Sequence, residues 1–430
     1  MKSVWEETAL PQFPKLEGDM KTDVLIIGGG LAGILTAYYL HQNNVPYILV
    51  ERDKICHENT GNTTAKITAQ HGLIYEKLLK SGGEYTARKY LDANLLALNR
   101  YSQLSREIDC DYEVKDHYVY SDSRNRLERE VEALSRIGYK AELCETLPLP
   151  LKTAGAVRFP DQAQFNPLKF IAGIANGLNI YENTFVREMV GTDAVTDSGR
   201  INADKVVCAT HFPFINKHGL YFVKLYQHRS YVIALENAPD VGGMFVDDND
   251  AGMSFRNYKD LLLLGGGGGR TGKKNGNWEC LRAFASEHYG KAQEAFFWAA
   301  QDCMSLDRVP YIGLYSKSTP DLYVETGFNK WGMTSSMLSA MIVSDMILGR
   351  ENDFADIFDP SRSIIKPQLF INGVESAANL LTPSKKRCPH LGCALKWNKA
   401  EHSWDCPCHG SRFTSEGRLL NNPSNGNLPE

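Results

Sequence analysis

The chain has 430 residues, 43% of them hydrophobic and 23% charged, with a formal net charge of −4. That length exceeds one typical domain and points to two or three, of ordinary globular composition. The charge gives no reason to expect nucleic acid or an anionic membrane surface as a partner, and apolar runs such as 24–27 and 261–264 are far too short to span a bilayer.

The first residues, Met1-Lys2-Ser3-Val4-Trp5-Glu6-Glu7, lack the apolar core of a signal peptide, so a cytoplasmic location is expected. Residues 1–21 read as a lead-in arm in which Pro11 and Pro14 break any helix. Residues 23–27 then read as a buried parallel strand, short, apolar and β-branched. The strand runs into Gly28-Gly29-Gly30-Leu31-Ala32-Gly33, a helical pattern over 34–40, and a second strand over 47–50 that ends in Glu51 and Arg52. This is the dinucleotide fingerprint in its full context. Gly28 permits the tight turn, Gly30 lets a pyrophosphate approach the backbone, and Gly33 lets helix pack on strand. The helix N-terminus supplies free N–H groups to phosphates, and Glu51 stands about 20 residues on, where an acid accepts ribose hydroxyls.

The small, polar stretch 60–72 has the character of a loop passing close to a ligand. Residues 75–108 and 124–137 read as helices, and 112–120 with 157–159 as strands of a second, mixed sheet. A helix over 168–178 precedes strands over 180–181, 184–189 and 205–210. Alternation over 221–235 and 243–264 predicts antiparallel strands and a hairpin. The five glycines 265–269 fit either a loop near a ligand or a flexible turn. Residues 279–300 read as an aromatic-rich core helix. A last apolar strand, 322–326, enters the turn 327–334 and a helix over 335–348, again a geometry in which backbone N–H groups meet a ligand.

Near the C-terminus stand Cys388-Pro389-His390-Leu391-Gly392-Cys393 and Cys406-Pro407-Cys408-His409-Gly410-Ser411. Each segment places a Cys/His pair on a short turn able to aim both ligands at one centre. Zinc accepts mixed Cys and His ligands, yet six candidate ligands stand where zinc takes four. The two segments resemble the Rieske signature. That resemblance implies a 2Fe–2S cluster, with Cys388 and Cys406 on one iron, His390 and His409 on the other, and a Cys393–Cys408 disulfide joining the loops. By the same resemblance Ser411 bonds a bridging sulfide, and Phe413, standing where high-potential members carry tyrosine, lowers the potential. The family's histidine edge is usually the exposed exit for electrons, so a redox partner protein is expected there.

Over roughly 20–350 the chain resembles the D-amino-acid oxidase/glycine oxidase family of FAD-dependent oxidoreductases. The implied fold class is α/β plus β. A Rossmann-like FAD-binding domain, built from pieces at about 20–75, 180–215 and 305–350, interleaves with an antiparallel-sheet substrate domain within 1–380. A short Rieske module fills 381–430, too small to bury much core of its own and so expected to lean on the FAD domain or a partner subunit, and on the cluster itself. The resemblance places the pyrophosphate at Gly28, Gly30, Leu31, Ala32 and Gly33, the adenosine at Glu51 and Val186, and counts Arg52 and Ala209 among the cofactor-binding residues. The flavin falls to Thr63, Thr64, Ala65 and Lys66, with Gly327, Gly332, Met333 and Thr334 at its pyrimidine edge and ribityl chain. His211 stands where the family often has glycine. The pairing of the closing segment with the N-terminal fingerprint favours FAD over NAD. The combination resembles the bacterial FAD/Rieske oxidoreductases and implies a dehydrogenase for a small substrate, an amine or amino acid. The alternatives are an electron carrier or redox sensor without a substrate, and an amine oxidase with a structural metal tail. No catalytic residue stands out; Arg229, Tyr231 and Tyr311 are candidates for the substrate pocket, with Lys66 and His71 behind them.

Overall fold

The computed structural model describes residues 1–273 and 277–429. The strand Met20–Ile27 is central to an eight-stranded sheet, flanked by parallel Tyr47–Val50 and parallel Arg200–Cys208. Leu322–Thr326 joins parallel to Arg200–Cys208, and Tyr311–Leu314 closes that edge antiparallel. The sheet is thus drawn from separated stretches of the chain. Its central strands are apolar on both faces because both are covered: Val24, Leu25, Ile26 and Ile27 are all buried, and the helices Leu31–Gln42 and Gly332–Ile347 pack together in the same core.

A nine-stranded mixed sheet follows the order Gln293–Ser305, Leu225–Glu236, Leu261–Arg270, Ser254–Tyr258, Met244–Asp247, Glu113–Ser121, Gly155–Gln164, Lys66–Ile67, with Glu142–Cys144 beside Gly155–Gln164. Three sequence expectations are corrected here. The five glycines form neither loop nor turn; they continue the strand Leu261–Arg270, paired to Leu225–Glu236 across an irregularity between Arg229 and Tyr231. A Cβ on Gly268 would stand 2.7 Å from the Arg229 carbonyl oxygen, so close backbone approach requires glycine there. The expected helix over 279–300 ends at His288, and Gln293–Ser305 is a strand paired along Leu225–Glu236. Tertiary pairing has overridden a helix-like apolar pattern. Residues 221–224 form a helical turn rather than the start of a strand.

The N-terminal arm is also more than a lead-in. Lys2 bridges to Phe297, and Trp5 is fully buried, its indole N–H donating to the Thr63 carbonyl at 2.7 Å. The arm therefore braces the stretch 59–66 from behind.

After the helix Pro367–Leu381 come four strands of three residues each, Lys396–Asn398, Ser403–Asp405, Arg412–Thr414 and Leu419–Asn421, in one antiparallel sheet. The buried apolar cluster of this module holds four cysteines with only Leu395 and Phe413 beside them. So small a core needs external support, which the main body supplies. Arg229, in the nine-stranded sheet, pairs with buried Glu401, which also pairs with Arg412. Arg270 donates to the carbonyls of Pro407 and Cys408 at 2.9 and 3.0 Å. Gln227 and Gln301 donate to the carbonyls of His409 and Gly410, each at 2.8 Å. Among the described residues no helix is long and apolar enough to cross a membrane.

Candidate cofactor cavity and cluster site

A cavity of about 690 Å³ runs between the two large sheets, within the range of cofactor sites. At one end lie Gly28, Gly30, Leu31 and Ala32, where the first strand turns into its helix. Gly28 has φ +114°, and a Cβ there would stand 2.6 Å from the Ala209 carbonyl oxygen. Gly33 lies outside the lining, in the role its place in the turn predicts: a Cβ would stand 2.0 Å from the Gly28 carbonyl oxygen. Replacing Gly33 with valine is therefore expected to force helix from strand and leave purified protein with less than about a tenth of the wild-type FAD content, checked by absorbance after denaturation.

The Glu51 carboxylate lines the cavity and is held by the backbone N–H groups of Gly29 at 2.7 Å and Asp53 at 2.9 Å. Arg52, Val186 and Ala209 line the same end. Thr63, Thr64 and Lys66 lie along one wall, and Gly327, Gly332 and Met333 along another. Ala65 and Thr334 are not part of the lining; the Thr334 hydroxyl is engaged behind it with His71 Nε2 at 3.0 Å. His211 lines the cavity at φ +66°, a backbone conformation that glycine adopts without strain.

The residues present fit FAD. The glycine turn leaves room for a pyrophosphate at a helix N-terminus. Glu325 lines the cavity with one oxygen bonded to Thr36 at 2.6 Å and its buried Oε2 without a partner within the described chain. Burial pushes that carboxyl up to about 7, so it is able to donate to a ligand oxygen. Lys66 is buried, with Nζ bonded to Thr64 Oγ1 at 3.0 Å, and burial with the nearby Arg256 charge pushes it down to about 7.

Sequence reasoning missed Glu325 and the far wall. Asn421, Asn422, Ser424 and Asn425, from the C-terminal module, line the cavity opposite residues more than 200 positions away. The Asn422 amide donates to the carbonyls of Thr210 and Phe212 at 2.6 and 2.7 Å. No local pattern marks these asparagines.

The two Cys/His loops of the module converge. His390 and His409 face each other with their Nδ1 atoms 3.3 Å apart. Two ligands about 2.1 Å from one tetrahedral metal stand about 3.4 Å apart, so both Nδ1 lone pairs suit a single ion. The His390 Nε2–H donates to Asn216 Oδ1 at 2.9 Å, which leaves Nδ1 as the acceptor. Burial pushes both imidazoles below their ordinary range, keeping them neutral as metal ligation requires. Cys388 and Cys406 are buried free thiols. Hydrogen bonds with Cys406 and Ser411, together with the N–H groups of His390 and Leu391, pull Cys388 down to about 7 against burial. Cys393 and Cys408 are joined by a disulfide, so although their sulfurs lie within 4.8 Å of Cys406 Sγ they are not available as ligands. The donor set fits a cluster held by two thiolates and two imidazoles.

The setting of the histidines corrects an expectation. His409 is only 3% exposed, against Phe212 and Phe222, and His390 is half-buried beside Phe212. His409 faces the segment that follows the strand Arg200–Cys208 rather than open solvent, while His390 keeps partial exposure beside it. Two substrate candidates are corrected as well. Arg229 is absent from the cavity lining and spent on Glu401. Tyr311 also lies outside the lining, under the Arg362 guanidinium at 3.9 Å and beside Tyr221. Tyr231 does line the cavity, packed edge-on against Trp278.

A cavity of this shape, with its glycine turn, the acid after the second strand and the closing segment, defines a dinucleotide-dependent flavoprotein to which a second redox site has been docked. A family model described as FAD dependent oxidoreductase (DAO) matches residues 23–346, and a Rieske [2Fe-2S] domain model matches 371–430. The chain belongs to the DAO family of FAD-dependent oxidoreductases and carries a C-terminal Rieske domain; its cofactors are FAD and a Rieske-type 2Fe–2S cluster. It is 32% identical to YhfW of Bacillus subtilis (strain 168), a candidate Rieske 2Fe-2S iron-sulfur protein, over 98% of this chain and 96% of that one. A segment of 37 residues is 51% identical to the chloroplastic cytochrome b6-f complex iron-sulfur subunit of Arabidopsis thaliana, covering 9% of this chain and 16% of that subunit. In fold it is similar to glycine oxidase from Geobacillus kaustophilus, with TM-score 0.68 and 19% identity over 80% of this chain and all of that one. The L-proline dehydrogenase of P. horikoshii follows with TM-score 0.66 and 16% identity, over 80% of this chain and 98% of that one.

Proposed function

We propose that the protein is a dehydrogenase that oxidises a small amine or amino acid and releases the electrons one at a time through its own cluster domain, where Cys388, Cys406, His390 and His409 hold the cluster. FAD supplies the two-electron acceptor for the substrate hydride, and a 2Fe–2S cluster carries single electrons. The observation that carries this reading is the docking. The C-terminal module lines the FAD cavity with Asn421 and Asn422, and its cluster loop is held by Gln227 and Gln301, both of which line that cavity. An electron sink built into the cavity wall suits a dehydrogenase better than an oxidase that discharges to oxygen. The glycine oxidase and L-proline dehydrogenase of like fold support the substrate class.

The chain's own residues suit a small anionic or zwitterionic substrate. Val246, Ser254 and Gly265 form a wall of small side chains on the nine-stranded sheet. Lys66 lines the cavity, and the charge that acts on it is another cation, Arg256. Along the lining, Asp250 is paired with Arg308 and Asp248 with Arg126, which neutralises two of the acids that would otherwise repel a carboxylate. We place the division between the FAD part and the cluster part at about residue 381, since the whole four-stranded sheet lies beyond it.

The test is an anaerobic reductive titration of the holoprotein, followed by visible absorption and low-temperature EPR, with amines and amino acids and with dithionite as control. The expected outcome is bleaching of the flavin by an amino compound together with a Rieske-type signal of average g below two. Bleaching with no cluster signal would sink the relay.

A further inference from the structure

The helix Pro367–Leu381 is built inside out. Its polar side chains face inward: Asn372 (4% exposed) accepts from Arg270, the side-chain amide of Asn379 (7%) donates to the Glu375 backbone carbonyl, and Glu375 pairs with Lys273. Its apolar side chains face out: Phe370 is 69% exposed, Ile371 55%, Val374 71% and Leu381 83%. With the exposed Ala377 and Ala378 they form one stripe at helical spacing, and Ile365, 78% exposed, extends it before the first turn. A surface helix ordinarily shows the opposite arrangement, and a contiguous exposed apolar stripe marks an interaction surface.

The charges around the stripe identify its partner. Lys366 stands at its start and Lys385, Lys386 and Arg387 just past its end, and Glu375 is the sole carboxylate between 363 and 392. Among the described residues none of these four cations takes part in an ion pair, although Lys386 Nζ lies over the Trp404 ring at 4.9 Å. The Arg387 guanidinium is bonded instead to the carbonyls of Leu380, Thr382 and Gly392, clamping the helix end to the first cluster loop, where Leu391 is 41% exposed. Basic flanks on an apolar stripe, in a chain whose net charge is −4, are complementary to a surface that is apolar within and anionic at its rim. A second copy of the chain is disfavoured, because parallel or antiparallel pairing of two such helices sets cation against cation.

We propose that this face seats the protein peripherally on an anionic lipid bilayer, the apolar stripe entering the headgroup boundary and the lysines meeting the lipid charge. The chain rests on the membrane without crossing it, with the first cluster loop on the membrane side.

The test is co-sedimentation of the full-length holoprotein with vesicles of phosphatidylcholine alone and of phosphatidylcholine with an equal part of phosphatidylglycerol. Binding to the anionic vesicles is expected to exceed that to the neutral ones by about tenfold or more. The pairs Phe370→Ser with Val374→Ser and Lys385→Glu with Lys386→Glu are each expected to cut it by a similar factor. Unchanged flavin absorbance in both variants reports intact folding, since these side chains are exposed. Equal binding to both vesicles, binding to neither, or a concentration-dependent dimer that the Phe370/Val374 variant dissociates would each overturn the proposal.

Discussion

Serine in place of Cys388 or Cys406 is expected to abolish the iron–sulfur centre while leaving the flavin. Iron content should fall from about two atoms per chain to near zero, the Rieske-type EPR signal should vanish, and FAD absorbance should persist, because no cysteine of the cluster loops lines the FAD cavity. The contrast is Cys393→Ser, which removes the disulfide but keeps the proposed ligands. Closing a loop of 15 residues contributes about 3 kcal/mol in the chain-entropy account, so this variant should bind iron but release it at lower denaturant concentration. Iron retained in Cys406→Ser, or zinc found in place of iron in the wild type, would exclude the ligand set.

The second large effect is expected at Glu401. This carboxylate is buried between Arg229 of the main body and Arg412 of the module, and Asp405 completes the group by pairing with Arg412. Burial works to raise the Glu401 carboxyl, but the charges and hydrogen bonds of the two arginines outweigh it and hold it at about 2. Replacing Glu401 with alanine leaves two buried guanidinium groups short of a counter-charge, a defect of about 3–5 kcal/mol. The module should loosen first. At neutral pH, limited proteolysis is expected to cut the stretch between Leu381 and Cys388 in this variant at a protein concentration and time that leave the wild type whole, with FAD retained. The sign with pH follows from a depressed carboxylate. The stabilisation is complete above the unfolded value of about 4.3 and is lost as pH falls from there through about 2. Equal protease resistance in variant and wild type would remove Glu401 from the docking.

The cluster effect rests on two neighbouring loops and the Glu401 effect on parts of the chain 172 residues apart, and this separates what was legible in the residues from what was not. The glycine turn, the acid after the second strand and the two Cys/His loops could be read directly, because each is a local device. A turn that only glycine tolerates at φ +114°, or two ligands on one short loop, is encoded in consecutive residues and works wherever the fold places it. The sheet of separated pieces was legible for the same reason, each piece carrying its own strand or strand–turn–helix pattern. The glycine run 265–269 and the stretch 293–305 were not, since their strand state comes from pairing with Leu225–Glu236 and neither has a strand alternation of its own to announce it. Arg229 looked like a substrate ligand because its partner Glu401 lies 172 residues on. The histidine edge was expected in solvent, and only packing sets it against Phe212 and Phe222. Sequence by itself thus determined the class of chemistry: a dinucleotide-binding fold joined to a Rieske-type cluster domain. Tertiary structure alone decided the arrangement, namely the module forming a wall of the FAD cavity and the helix Pro367–Leu381 turning its apolar side outward, because burial is a property of neighbours brought together by folding and not of any residue's own identity.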